Sequence, residues 1–420
     1  SSTSRGLGDV YKRQAYNLVL LAGMALTGWV MCLVMVRWTG AWGAGLVAGI
    51  VLAFNAHTLT RLPHIQAQHA EFFPLALWAF DALLSSPRWR IAVGLATTVV
   101  GQALASVYLL VYTAVGLGAA LVSRPEDWMH RRGLRVAVFL GGAAVLSALV
   151  LVPLLWPYWQ LRAQGYVRSI DEAAFFAAGL RDYITTPARW YQWAGGNVAL
   201  FPGAAALVLA AVALITRDAL RDPRPRMCLA LAVTGIALSF GPAVVPGYET
   251  LYFKLQVLQA IRTSSRLGYL GIVGVAVLAG YGLLALQRRV GGGAAMGRLL
   301  PVFCIAAAAL EPLAAPIAYV PFDGIPAIYS RLASEPGAVV AELPLPDEAH
   351  VYSNAAYMLN GTAHWRPLVN GYSGFVPRGY LGVADAVRDF PSEAAVKALR
   401  RLGTTHLFVH LDAYSAEDRA

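Results

Sequence analysis

The chain has 420 residues, 58% of them hydrophobic and 13% charged, and a formal net charge of +10. Its mean hydropathy is +0.55. An ordinary soluble domain is about 45–50% apolar and about 25% charged, so a soluble single-core protein is excluded. The 33 basic and 23 acidic side chains are too few to clothe two or three soluble domains of this length. Most of the chain belongs in lipid. Cys32, Cys228 and Cys304 each fall in apolar runs with no CxxC or Cys/His spacing, which gives neither a disulfide framework nor a zinc site.

Residues 1–14 are set aside. Asp9-Val10-Tyr11-Lys12-Arg13-Gln14 matches the in-frame translation of a transposon-type sequencing adaptor, and the residues before it look equally foreign. Removing them takes away three bases and one acid and lowers the formal net charge from +10 to +8. On this reading the natural N-terminus is missing and the sequence is a fragment. The scarcity of lysine against arginine, alanine and glycine points to a high-GC bacterial source.

From residue 15 to residue 317, apolar stretches able to cross about 30 Å of hydrocarbon run near 15–36, 41–57, 72–84, 91–107, 108–123, 136–156, 199–216, 227–242, 267–286 and 299–317. This predicts a mainly α, polytopic helical membrane domain of about ten spans. The short 72–84 and 91–107 pieces, with a break at Ser106-Val107-Tyr108, read as hairpinned helices that line a cavity. The connections divide into two sets. Segments 37–40, 85–90, 124–135, 217–226 and 287–298 hold 14 arginines in 44 residues, whereas 56–71, 157–198 and 243–266 hold eight bases in 82 residues. By the positive-inside rule the first set is cytoplasmic and the second faces outward. Glycine recurs at close-packing spacing, as at Gly45 and Gly49 and at Gly268, Gly271 and Gly274, which predicts tight helix packing rather than chemistry.

After Ile317 the texture becomes that of a water-soluble module. Ala338–Leu343 and Thr405–Val409 read as strands. Between them Ser392 caps a helix that runs to Leu402 and stops before Gly403. Residues 318–420 are therefore expected to form a small extracytoplasmic α/β domain whose C-terminus is open to question.

No P-loop, GxGxxG, HExxH or GxSxG occurs. The informative residues are polar groups in the outward loops. His57, Arg61, His64, Gln66, Gln68, His69 and Glu71 lie between two apolar segments. Glu71 and His64 can accept a proton, and the histidines with Glu71 can bind a divalent cation, although the spacing matches no standard metal motif. An interfacial loop whose histidines bond only to backbone is the plainer alternative. In 157–198, Arg162 and Arg168 sit among Trp159, Tyr166, Trp190 and Trp193. In 261–266, Arg262 and Arg266 stand just before a membrane helix. Arginine forks suit phosphate oxygens, and anchoring to anionic headgroups is the competing role. Asp81 and Glu311, inside apolar runs, are read as structural. Trp365 and Tyr372 offer rings on which a sugar face can stack. Nucleic-acid binding is not expected, because topology accounts for the positive charge.

Ala15-Tyr16-Asn17-Leu18, the His64–Leu77 loop, Phe201-Pro202-Gly203, the Arg262-x-x-x-Arg266 lead, Ala279-Gly280-Tyr281-Gly282, Glu342-Leu343-Pro344, His364-Trp365-Arg366-Pro367 and Asn370-Gly371-Tyr372 together resemble bacterial YfhO-like and GT-C glycosyltransferase-like membrane proteins. The resemblance implies a transferase at the outer face of the cytoplasmic membrane. It would take a sugar from a polyprenyl-phosphate carrier and pass it to a glycan, lipid or protein acceptor. It also implies a catalytic acid in an outward loop upstream of Ala15, so no principal base carries over. Arg262 and Arg266, with His69, Arg162 and Arg168, would then bind substrate, Glu71 and His64 would line the acceptor side, and Trp365 and Tyr372 would help hold the acceptor. The rival classes are a lipid-linked sugar flippase or transporter and a non-catalytic scaffold for envelope assembly. A transporter predicts paired ionisable residues at the midplane, and a scaffold predicts no organised acid near the arginines.

Overall fold

The computed structural model describes residues 2–414 except 130–131, 192–195, 197, 217–220, 256–257, 292–294, 318–320, 349 and 378, with side chains from Gln14 onward. The side chains of the adaptor-like segment, and Trp193, lie outside the described residues. The chain forms two units, Ser1–Ile317 and Ala318–Ala420.

Among its described residues the first unit has helices, joined by loops, and no strand. Its longer helices are α1 (Ser2–Thr39), α2 (Trp42–Ala53), α3 (Phe72–Ser85), α4 (Trp89–Ala105), α5 (Val107–Val122), α6 (Gly133–Ala163), α7 (Ala204–Ile215), α8 (Pro223–Ser239), α9 (Tyr269–Val290) and α10 (Ala295–Leu310). Four stretches are both long and apolar enough to cross a membrane: Gln14–Thr39, Trp42–Leu59, Gly133–Ala163 and Ser264–Val290. At about 1.5 Å per residue, the 26 residues of the first exceed the hydrocarbon thickness. The chain therefore has the character of a membrane protein. The apolar helices Trp89–Ala105, Val107–Val122, Ala204–Ile215 and Met296–Leu310 are shorter, at 10–17 residues.

Ser264–Val290 is the central element, with 72% of its apolar window buried, whereas Gly133–Ala163 is peripheral, with 11% buried. Glycines on α9 make the central position sterically available. A Cβ on Gly271 would meet Ile236 of α8 at 2.8 Å, one on Gly280 would meet the Ala44 carbonyl of α2 at 2.9 Å, and one on Gly282 would collide with the Leu209 carbonyl of α7. The same device joins α1 and α2, where a Cβ on Gly45 would lie 2.7 Å from the Cys32 carbonyl. Small residues let backbones approach where the lipid provides no hydrophobic drive for helix association.

Charged groups pin one end of this unit. Asp81, 4% exposed, accepts from Arg124 Nη1 at 2.5 Å and Arg224 Nε at 3.0 Å. Arg124 also reaches Asp127 at 2.7 Å, and Arg224 Nη1 donates to the Trp38 carbonyl at 3.1 Å. Elsewhere Glu311 accepts from the Tyr191 hydroxyl at 2.6 Å and from the backbone N–H groups of Ala204 and Ala205, which caps the first turn of α7. Both acids of the apolar runs thus have structural partners.

In the second unit β1 (Val340–Leu343) pairs in parallel with β2 (His406–Val409), with Val340 opposite His406. Helices α11 (Asn354–Gly361), α12 (Tyr380–Ala386) and α13 (Glu393–Arg401) accompany them. The Ser392 side chain accepts from Ala395 N at 3.3 Å, and Gly403 has φ +75 beyond the end of α13. Ala341, Leu343, Leu345, Tyr380, Val387 and Leu399 form the core.

Candidate functional site

The segment between α2 and α3 is folded tightly by its own polar side chains. Asn55 Oδ1 accepts from Thr58 N at 3.0 Å, while Asn55 Nδ2 donates back to the Leu52 carbonyl at 2.8 Å. Gln68 Nε2 donates to the Arg61 carbonyl at 2.8 Å, and Gln102 Nε2 to the His69 carbonyl at 2.9 Å. Thr27 Oγ1 donates to the Gln68 carbonyl and accepts from Ala70 N, each at 3.1 Å. The loop is therefore a built object and not a slack connector.

This folding produces a cavity lined by His57, Arg61, His64, Gln66, Ala67, Ser106, Tyr108, Leu109, Tyr112, Arg266 and Tyr269. Counting its open mouth, it holds ≈ 420 Å³ of empty space. Ser106 is extended, ends α4 and caps α5, so a hairpin of one residue brings Tyr108 to the cavity wall. The Arg266 guanidinium stacks over the Tyr108 ring at 5.0 Å, and His57 lies 5.3 Å from the Tyr269 ring.

The electrostatics are one-sided. Neither Arg61 nor Arg266 makes a salt bridge to a carboxylate among the described residues. Arg266 Nε and His57 Nε2 are buried without a hydrogen-bond partner. Burial, and then the nearby Arg266 charge, pulls Arg61 below its ordinary value. Burial, followed by Arg266 and Arg61, likewise holds His64 below the usual imidazole range. Two arginines held together without a counter-ion favour an anion.

Glu71 does not line this cavity and is 8% exposed. His69 Nδ1 lies 3.0 Å from Glu71 Oε1, and its Nε2 lies 3.1 Å from the Val19 carbonyl. A carbonyl only accepts, so His69 Nε2 carries a proton, and the contact at Nδ1 requires one further proton shared with Glu71. Glu71 Oε2 is buried and has no partner. Gly23 makes the pair possible, since a Cβ there would lie 2.9 Å from the His69 ring.

The other sequence candidates lie elsewhere. Arg262 stacks over Phe176 at 5.1 Å and does not line the cavity. Arg168 is engaged by Glu172 at 3.2 Å, and Arg162 acts electrostatically on Tyr252. In the second unit Trp365 is 82% exposed with φ +54, and Tyr372 is 37% exposed. Of the residues considered for a divalent cation, His69 pairs with Glu71 while His57 and His64 line the cavity with the arginines. No group of three His, Cys, Asp or Glu residues able to hold a metal occurs among the described residues. Arg61, named from the sequence only as part of the polar cluster, and Tyr108, named only at the helix break, emerge as cavity residues. The break at Ser106 was the available signal.

No protein-family model matches the chain, and no curated protein matches it.

Proposed function

We propose that the protein is a membrane glycosyltransferase that uses a polyprenyl-phosphate-linked sugar at the outer face of a bacterial cytoplasmic membrane. The observation that carries this reading is the cavity in which Arg61, Arg266, His57 and His64 converge, with no salt bridge from either arginine to a carboxylate among the described residues. Such a site suits the phosphate of a lipid-borne donor: the guanidiniums neutralise charge as the sugar departs and the carrier phosphate is freed. The Glu71–His69 pair supports transfer over a purely scaffolding role, because it holds a buried carboxylate oxygen that has no hydrogen-bond partner among the described residues. In this reading Glu71 is a candidate proton acceptor for the incoming hydroxyl. About ten spans cross the membrane, with the shorter helices packed as hairpins around the cavity, and residues 318–420 form an outward α/β domain that holds the acceptor through Trp365 and Tyr372. Inward connections would then be those rich in arginine.

The test is binding of a polyprenyl phosphate to the purified full chain in nanodiscs, measured by native mass spectrometry. Saturable binding that Arg61→Gln/Arg266→Gln weakens at least about tenfold supports the reading. Binding that is unchanged in the folded double variant would remove these residues from a carrier site.

A further inference from the structure

Resting on the carrier-phosphate reading, we infer that the cavity selects a phosphomonoester dianion over a phosphodiester, and so binds the released carrier more tightly than the sugar-loaded one.

The argument is one of charge and valence. Arg61 and Arg266 are permanent cations, and Arg61 is lowered by Arg266, which places the two within electrostatic reach of each other. Neither has a salt bridge to a carboxylate among the described residues. A phosphodiester brings one negative charge and leaves one guanidinium uncompensated. A phosphomonoester above its second pKa of about 6 carries close to two and neutralises both. The donors tell the same way. Arg266 Nε is a buried donor without a partner, and His57, 7% exposed, presents a buried Nε2 that is also unpartnered. The terminal phosphoryl group of a monoester offers three unesterified oxygens to these groups, while a diester offers two. The Tyr108 ring beneath the Arg266 guanidinium fixes the plane of its fork. Loss of the sugar is the step that turns the one-charge ester into the two-charge ester, so the site favours the product side of the transfer and the freed carrier competes with the loaded one.

The experiment compares ligands of known charge on the full chain in nanodiscs at pH 8, where phosphomonoesters are dianionic and histidines neutral. The probes are phosphatidic acid as a lipid phosphomonoester, phosphatidylglycerol as a lipid phosphodiester, and inorganic phosphate as the free anion. Displacement is read against a fluorescent lipid phosphomonoester. Phosphatidic acid is expected to displace the probe at about tenfold or more lower concentration than phosphatidylglycerol, as one additional charge-assisted hydrogen bond provides. Arg61→Gln should collapse that ratio towards one. Displacement by inorganic phosphate alone, with none by phosphatidic acid, assigns the site to a free anion and overturns the inference. Equal displacement by both lipids, sensitive to Arg61→Gln, overturns the charge selectivity and leaves the carrier site standing. No Arg61-sensitive displacement by any probe overturns the carrier site itself. An Arg298→Gln variant, at an exposed arginine outside the cavity, controls for general loss of surface charge and is expected to match the unmodified chain.

Discussion

Removal of Asp81 tests how the first unit is held together at its arginine-rich end. Its carboxylate is 4% exposed and bridges Arg124, 1% exposed, and Arg224. Asp81→Ala leaves the buried Arg124 guanidinium with Asp127 and a long contact to the Ser85 hydroxyl, and Arg224 with the Trp38 carbonyl. Breaking a buried pair by deleting one partner costs about 3–5 kcal/mol, and the surviving contacts place this case near about 3. The corresponding fall in Tm is on the order of 5–10 °C, measured by tryptophan fluorescence in detergent. The comparison is Glu126→Ala, which removes a pair with Arg226 whose side chains are 48% and 37% exposed. That loss should stay below about 1 kcal/mol. Asp81→Leu/Arg124→Met, which removes both buried charges, should recover much of the stability lost by Asp81→Ala. Equal Tm values for Asp81→Ala and Glu126→Ala would refute the reasoning.

Further outcomes follow from packing, capping and titration. Gly282→Ala places a methyl against the Leu209 carbonyl and should cost at least about 1–3 kcal/mol, whereas Gly94→Ala, with nothing within 4 Å, should be neutral or slightly stabilising; paired thermal melts decide. Glu311→Ala removes the acceptor for Tyr191 and for two backbone N–H groups of α7 and should cost about 1–3 kcal/mol, read by the same melts. His64 is held below its ordinary value by burial, Arg266 and Arg61. The folded chain therefore binds this proton less readily than the unfolded chain, and stability is full above about pH 6.5 and falls as pH drops towards the folded value. His64→Gln should flatten that part of the Tm profile between pH 7 and 5, and an unchanged profile would exclude His64 as its source. Glu342, fully buried in the second unit, accepts from the Tyr329 hydroxyl at 2.6 Å and lies 2.9 Å from His410 Nε2; Glu342→Ala should make residues 318–420 cleavable by protease at concentrations that leave the unmodified chain intact.

Local signals were readable where one segment decides its own structure. The Ser392 cap, the Gly403 stop and the two strands near residues 340 and 406 follow from neighbouring residues, and the glycine spacing on α9 translates directly into close backbones. Long-range pairing was not readable. The arginine partners of Asp81 lie 43 and 143 residues away, so the sequence indicates a costly acid without its counter-ions. The pair Arg262 and Arg266 shows a different obstacle. A spacing of four suggests one helical face, but Arg262 lies in a bend before the 3-10 turn Ser264–Gly268 that carries Arg266. The two side chains diverge accordingly, Arg262 to Phe176 and Arg266 to Tyr108. Arg61 takes the second position in the cavity because Gln68 anchors its carbonyl from seven residues away. The short helices explain the difference between ten apolar stretches and four helices of full spanning length: Ser106 breaks one run into a hairpin, and α7 stops after 12 residues.

The most direct measurement is photo-crosslinking of a polyprenyl phosphate analogue, with the reactive group next to the phosphate, to the full chain in nanodiscs, followed by peptide mapping. The account predicts labels concentrated in the segments around His57–Ala67, Ser106–Tyr112 and Arg266–Tyr269, and their loss when a lipid phosphomonoester is added in excess or when Arg61 and Arg266 are both replaced by glutamine. Labels spread along the exposed face of α6, indifferent to those replacements, would contradict it.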